Sequence, residues 1–436
     1  MIRLSLIFAF LLSAVSARAQ MEIQEVTSQG GISAWLVQEE SIPFVAIEIV
    51  IDGGASLEDS AKRGVTNLMM ALLEEGSGDL GAREFQEARE GIAASFGFNA
   101  YDDSISISAV FLTENRDEAM ALLRDALIKP RFDTAAIERV RAQVLSIIRS
   151  DAQDPNSIAS ATFDAAAFGD HPYGTSIDGS AKTVAALTQD DLFEAHGNVL
   201  VQNRVYVGAA GDISAQDLGV LIDDLLGDLP MDGPAFPSRV DFGLGGGTTI
   251  VPFETPQSVA LFGHAGIKRD DDDFFAAFLL NEILGGRGVQ SRLMREVREK
   301  RGLTYGVSSY LVPKTLSEVY LGSVASSNGT IGEAISVIRD EWALMAKEGV
   351  SAVELNQAKT YLTGAYPLRF DGNAKIAGIL ASMQWTGLTS EYIINRNNFV
   401  DAVTLDDINR VAAELLDPDG LHFVVVGQPE GLEVSD

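Results

Sequence analysis

The chain has 436 residues, 46% of them apolar, with 62 acidic against 32 basic side chains, four histidines and no cysteine. Its length exceeds the roughly 250–300 residues that one core sustains, which calls for two or more globular domains and excludes a disordered chain. The lack of cysteine excludes disulfides, thiolate metal sites and a cysteine nucleophile, and a net charge of −30 excludes nucleic acid and anionic lipid surfaces as partners.

In chain order, residues 1–19 come first, with basic Arg3, an apolar run over 4–15 and the small-x-small sequence Ala17-Arg18-Ala19. This pattern predicts a secretory signal peptide cleaved after Ala19 and a periplasmic or secreted protein. The apolar run is shorter than the ~20 residues that span a bilayer, and no later segment is long enough, so stable membrane insertion is not expected. Cleavage removes Arg3 and Arg18 and no acid, leaving 30 − 62 = −32. Val65, Leu68, Met69, Leu72 and Leu73 fall at helical spacing, while Ser104 to Ala109 alternates with period two and predicts a half-buried antiparallel strand. Helical stretches follow at 116–128, 134–150, 273–284, 331–347 and 351–362.

An internal repeat at an offset of 216 residues organises the whole. Leu187-Thr188-Gln189-Asp190-Asp191-Leu192 corresponds to Val403-Thr404-Leu405-Asp406-Asp407-Ile408, each Thr predicting a capping box with the Asp three residues on. The strand-like runs 205–211 and 421–427 match at the same shift, and Phe44 to Gly53 aligns with Ala260 to Arg269. Breaker residues over 229–247 read as a linker, giving domains over 21–228 and 248–436. The fold class expected is α+β: two duplicated domains, each an antiparallel sheet with helices packed on one face.

Five segments carry a family resemblance: Phe168-Gly169-Asp170-His171-Pro172-Tyr173-Gly174, the two Thr-led helix starts, Leu284-Gly285-Gly286-Arg287-Gly288, and the run from Ser291 to Gly306. In their order the chain resembles the insulinase-like, pitrilysin-type zinc metallopeptidases of the processing-peptidase branch. Members carry H-x-x-E-H on a first-domain helix, where two histidines hold zinc and the glutamate acts as general base. The corresponding positions here are Asn67, Met70 and Ala71, and the third-ligand position is Ile147. No histidine precedes His171, so the resemblance implies a degenerate metal site and no metal or other cofactor in this chain.

A second family feature is kept. Relatives use an Arg and a Tyr seven residues apart in the second domain to bind substrate and support the tetrahedral intermediate, and Arg298 and Tyr305 stand at that spacing. The bland alternative is a helix-terminal cation in a surface ion pair with a nearby Glu. Asn99 and Ala100 match the family's strand beside the cleft, which pairs with extended peptide.

Other candidates have structural readings. Asp270 to Asp273 is expected to cap a helix rather than bind calcium, Glu74 and Glu75 to end a helix in solvent, and His171 to sit in a Pro-Tyr-Gly turn. His196, His264 and His422 are too scattered to form a set. The glycine-rich 284–288 lacks a phosphate-loop signature. The resemblance therefore implies the non-catalytic subunit of a heterodimeric zinc endopeptidase. A homologous partner would hold zinc and the general base, this chain would lend Arg298 and Tyr305, and unfolded peptides would be the substrates. The alternative is a peptide-binding or scaffold protein of the same family with no role in proteolysis.

Overall fold

Residue patterning of period two builds two sheets in the structure, a computed structural model that describes residues 22–286 and 291–434. The signal-peptide segment and Arg287-Gly288 lie outside the described residues. Along Phe44–Asp52, Val45, Ile47, Ile49 and Ile51 enter the first core while Ala46, Glu48, Val50 and Asp52 face the opposite way. Full burial of each such aliphatic contributes about 1.5–3 kcal/mol. The first sheet runs Gln24–Thr27, Ser33–Gln38, Val205–Gly211, Phe44–Asp52, Ser104–Leu112, Ser95–Ala100. The second runs Gly247–Pro252, His422–Gly427, Gln257–Ala265, Glu318–Ser327, Val307–Pro313. After the first edge strand of the larger sheet, the two orders are the same. Each sheet is antiparallel apart from one parallel pair, at Ala34↔Val207 and His422↔Gly247.

Both expected capping boxes form, at Thr188 with Asp191 and Thr404 with Asp407. The repeat offset is not uniform, however. Ala46 pairs with Ala210, whose counterpart 216 residues on is Val426, and Val426 pairs with Val259. The equivalent of Ala46 is therefore Val259, an offset of 213, and the alignment of Phe44 with Ala260 is displaced by three. Loop length between the strands absorbs the difference.

Helices of the same half cover one face of each sheet, among them Val65–Leu72, Arg116–Ile128 and Thr134–Asp151 on the first. The opposite face takes a helix from the other half. Asn373–Trp385 lies across the first sheet, with Ile376, Leu380 and Met383 against Trp35, Val37 and Ala210. Reciprocally, Pro155–Phe168 lies across the second, with Ala159, Phe163 and Ala167 against Leu261, Val424 and Val426. Gly208 permits the first approach, because a Cβ there would stand 2.1 Å from the Ala377 carbonyl oxygen. Gln384 Nε2 donates to the Val207 carbonyl at 2.7 Å and Trp385 Nε1 to Asp52 Oδ1 at 2.9 Å.

Residues 230–246 carry neither helix nor strand, yet they are pinned: Val240 N–H donates to the Leu316 carbonyl, Gly243 N–H to that of Ala167, and Phe242 packs on Phe163 and Phe168. Among the described residues no helix is long and apolar enough to cross a membrane.

Candidate functional site

The helix Val65–Leu72, where the resemblance puts a metal site, is firmly built. Buried Glu58 accepts from the Gly64 and Thr66 N–H groups at 2.9 and 2.7 Å, tying the orphan donors of the helix start. Its side chains have other work than ligation. Asn67 Nδ2 donates to Asp178 Oδ1 at 2.7 Å, and burial, then the nearby Asp151 charge, push the Asp178 carboxyl up. Met70 is wholly buried in the first core, Ala71 presents a methyl to solvent, and Ile147 on the neighbouring helix Thr134–Asp151 is 49% exposed.

All four histidine rings are engaged elsewhere. His171 caps the turn Pro172–Gly174 through Nδ1, His196 meets the Leu127 carbonyl, His264 accepts from Trp342 Nε1, and His422 sits between Thr249 and Gly245. Among the described residues no group of three or more His, Cys, Asp or Glu could hold a metal ion. An amide, a thioether and two alkyl groups do not fit zinc.

The segment from Ser291 to Gly306 is different. It begins as a helix that widens into a π-helix over Met294–Glu299 and ends at Gly302, whose φ of +65 favours glycine. Glu296 gathers the cations: Lys300 at 2.7 Å, Arg301 at 3.0 Å and Arg295 at 3.3 Å. Burial works to raise its carboxyl, but those hydrogen bonds outweigh it and hold the group at about 2. Arg292 is paired with Glu354 at 2.7 Å and donates to the Gly349 carbonyl. Every cation in the run but one is thus consumed. Arg298 is exposed and its guanidinium has no ion pair or hydrogen bond among the described residues, so the surface ion pair weighed from sequence does not form there.

Tyr305 is held outward by its neighbours. Leu303 is buried, and Thr304 Oγ1 donates to the Ala325 carbonyl at 2.6 Å and accepts from Gly306 N–H at 3.0 Å, leaving Tyr305 85% exposed. The next strand starts two residues later, at Val307, so the phenol belongs to the connection. That strand, Val307–Pro313, is an open edge of the second sheet. Its counterpart Ser95–Ala100, with Asn99 and Ala100, is an open edge of the first.

The two edge hairpins meet at their tips, through residues that, Tyr173 apart, lie outside every motif of the sequence. Lys314 Nζ lies 2.6 Å from Asp102 Oδ2, Thr315 N–H donates to Asp103 Oδ2 at 3.0 Å, and Tyr173 donates to Asp103 Oδ1 while accepting from Leu316 N–H at 3.0 Å. Lys314 also sits 4.3 Å from the centre of the Tyr173 ring. The only sequence signal was the Pro172-Tyr173 pair, read as a turn. The Asp270 to Asp273 run departs in part from expectation. Asp273 is the N-cap residue of Phe274–Gly285, but its carboxylate bonds Arg410 instead of the helix N–H groups. Glu74 and Glu75 follow the helix end and pair with Arg89 and Arg139.

Comparison with known proteins agrees with this geometry. Residues 34–180 match the family described as insulinase (peptidase family M16), and residues 186–362 the peptidase M16 inactive domain. The chain belongs to the M16, insulinase-like peptidase family. Within it, this is an inactive homologue. A Pseudomonas fluorescens structure described as a peptidase M16 inactive domain superposes with a TM-score of 0.87 at 28% identity, covering 94% of this chain and 100% of that one. A Helicobacter pylori protein named non-peptidase homolog YmxG is 24% identical over 90% of this chain and 91% of its own length. Bacillus subtilis YmxG, named an uncharacterized zinc protease, is 24% identical over 91% and 96%.

Proposed function

We propose that the chain is the non-catalytic subunit of a heterodimeric periplasmic zinc endopeptidase. It lends Arg298 and Tyr305 to a homologous partner that holds zinc and the general base. The observation that carries this reading is an unpaired Arg298 and a projecting Tyr305 on a rigidly anchored segment beside an open sheet edge. A guanidinium and a phenol held this way donate hydrogen bonds to a peptide carbonyl, and donors aimed at a developing oxyanion are worth about 3–4 kcal/mol of barrier. The strands Ser95–Ala100 and Val307–Pro313 each have a neighbouring strand on one side only, the arrangement to which an extended, unfolded peptide adds. Asn99 stands at the outer rim of the first.

The second reading, a scaffold or peptide-binding protein, is favoured by the name of the Helicobacter pylori relative. Co-expression with an H-x-x-E-H homologue from the same organism separates the two. The lone chain is expected to carry no stoichiometric zinc by mass spectrometry and to leave unstructured peptides intact, while the co-purified pair cleaves them. Zinc and turnover in the lone chain, or failure of the two chains to associate, contradicts the subunit reading.

A further inference from the structure

Between the helices Phe274–Gly285, Asn373–Trp385 and Tyr392–Ala402, the second half holds a cavity of about 720 Å³. Among the described residues four cations line it, Arg269, Arg369, Lys375 and Arg396, and no Asp or Glu does. In a chain where acids outnumber bases 62 to 32, that sign is the opposite of the average surface. None of the four forms an ion pair among the described residues.

Arg396 is the telling member. It is 5% exposed, donates to the Leu362 carbonyl at 2.9 Å and to Asn397 Oδ1 at 3.2 Å, and meets no carboxylate. The other buried arginines behave differently: Arg63 reaches Glu58, Arg141 reaches Glu138, and Arg292 reaches Glu354. The Arg396 guanidinium lies instead 4.7 Å from the Tyr366 ring centre and 5.6 Å from that of Phe278. Arg269 is likewise held on rings, 4.3 Å from Phe274 and 5.5 Å from Tyr392. Aromatic faces orient a guanidinium without neutralising it, and a buried charge lacking a counter-ion is costly until an anion arrives.

A neutral apolar ligand would leave Arg396 uncompensated, and a bare inorganic anion would leave the rings facing water. We propose that this cavity binds an organic carboxylate with an apolar body, its head on Arg396 and Arg369 and its body against the aromatic walls. A second cavity of about 360 Å³ shares Phe278, Tyr366, Arg369 and Arg396 and reaches Tyr310 on the open edge strand. Glu282 lines that second cavity and not the first. Such a carboxylate comes from a free fatty acid or from the C-terminus of an apolar peptide.

Isothermal titration of the full chain at low salt tests this with dodecanoate, an acetylated Phe-Leu-Phe tripeptide acid, its amide, dodecanol and inorganic phosphate. One site is expected for a carboxylate, with the amide, the alcohol and phosphate weaker by about tenfold or more. The tighter of the two acids identifies the source. Arg396→Gln is expected to abolish binding. Because that substitution also touches packing, the exposed pair Arg369→Ala and Lys375→Ala serves as the folded control and is expected to weaken binding by roughly tenfold together. No saturable binding of either acid, equal binding of acids and neutral analogues, phosphate binding as tightly as the acids, or affinity unchanged in that double variant would overturn the proposal.

Discussion

Tyr173→Phe is the sharpest probe of how the two halves are fastened. The hydroxyl is the hub of the junction: it donates to the buried Asp103 carboxylate and accepts from Leu316 N–H at 3.0 Å. Phenylalanine keeps the ring packing on Phe168 at 5.6 Å and on His171 at 4.7 Å, so only the two hydrogen bonds are lost. A bond to a charged group is worth roughly 1.5–3 kcal/mol, and an orphaned buried N–H costs about 1–3 kcal/mol. Asp103 keeps its bond from Thr315 N–H, which limits the total to about 3 kcal/mol. Hydrogen exchange of the peptide spanning 314–317 reports the junction directly. Protection there should fall about 10²-fold, since 1.4 kcal/mol is one decade, while the strand Phe44–Asp52 keeps its protection. Unchanged exchange at Thr315 and Leu316 would refute the reasoning, because those two amides donate across the junction.

Three further outcomes follow from other contacts. Gly208→Ala places a methyl against the Ala377 carbonyl oxygen and the Ala381 nitrogen, at 2.1 and 2.7 Å, both backbone atoms; a loss of about 2–3 kcal/mol in urea unfolding is expected, and a neutral effect would show that the helix Asn373–Trp385 is not seated on the first sheet. Burial pushes the Glu48 carboxyl up to about 7, so its contribution is full below its unfolded value near 4.5 and is lost as pH rises through 7; Glu48→Gln should therefore stabilise by roughly 1–3 kcal/mol at pH 8 and have little effect at pH 4.5, and the reverse order would contradict the assigned burial. Met70→Glu puts a carboxylate without a partner into the first core. A loss of roughly 3 kcal/mol or more in urea unfolding is expected, and a variant as stable as the parent would show that the degenerate metal position is still open to water.

Much of the fold was legible because duplication repeats local chemistry. The capping boxes at Thr188 and Thr404 and the strands that follow are written twice, and both copies form. The reciprocal helices were not legible. The apolar face of Asn373–Trp385 records that a helix is buried, but not which sheet buries it, and its partners Trp35 and Ala210 lie far away in sequence. The three-residue slip at Phe44 has a similar cause, since a strand buried on both faces, with Ala46 and Val50 covered as well as Ile47, lacks the alternation that would mark its alignment. The Arg298 and Tyr305 spacing was visible, whereas the reason Arg298 stays unpaired was not: it depends on Glu296 collecting Arg295, Lys300 and Arg301. The cavity around Arg396 draws on residues from 269 to 396, a set that no local motif could announce.

The central claim is that Arg298 and Tyr305 act on a substrate held at a partner's metal site. Its most direct test is peptide cleavage by the reconstituted pair carrying Arg298→Ala or Tyr305→Phe. Both side chains are exposed and unpaired among the described residues, so thermal stability should stay within about 0.5 kcal/mol of the parent. kcat/KM should fall roughly 10²–10³-fold for each. An undiminished rate in an intact pair would contradict the account.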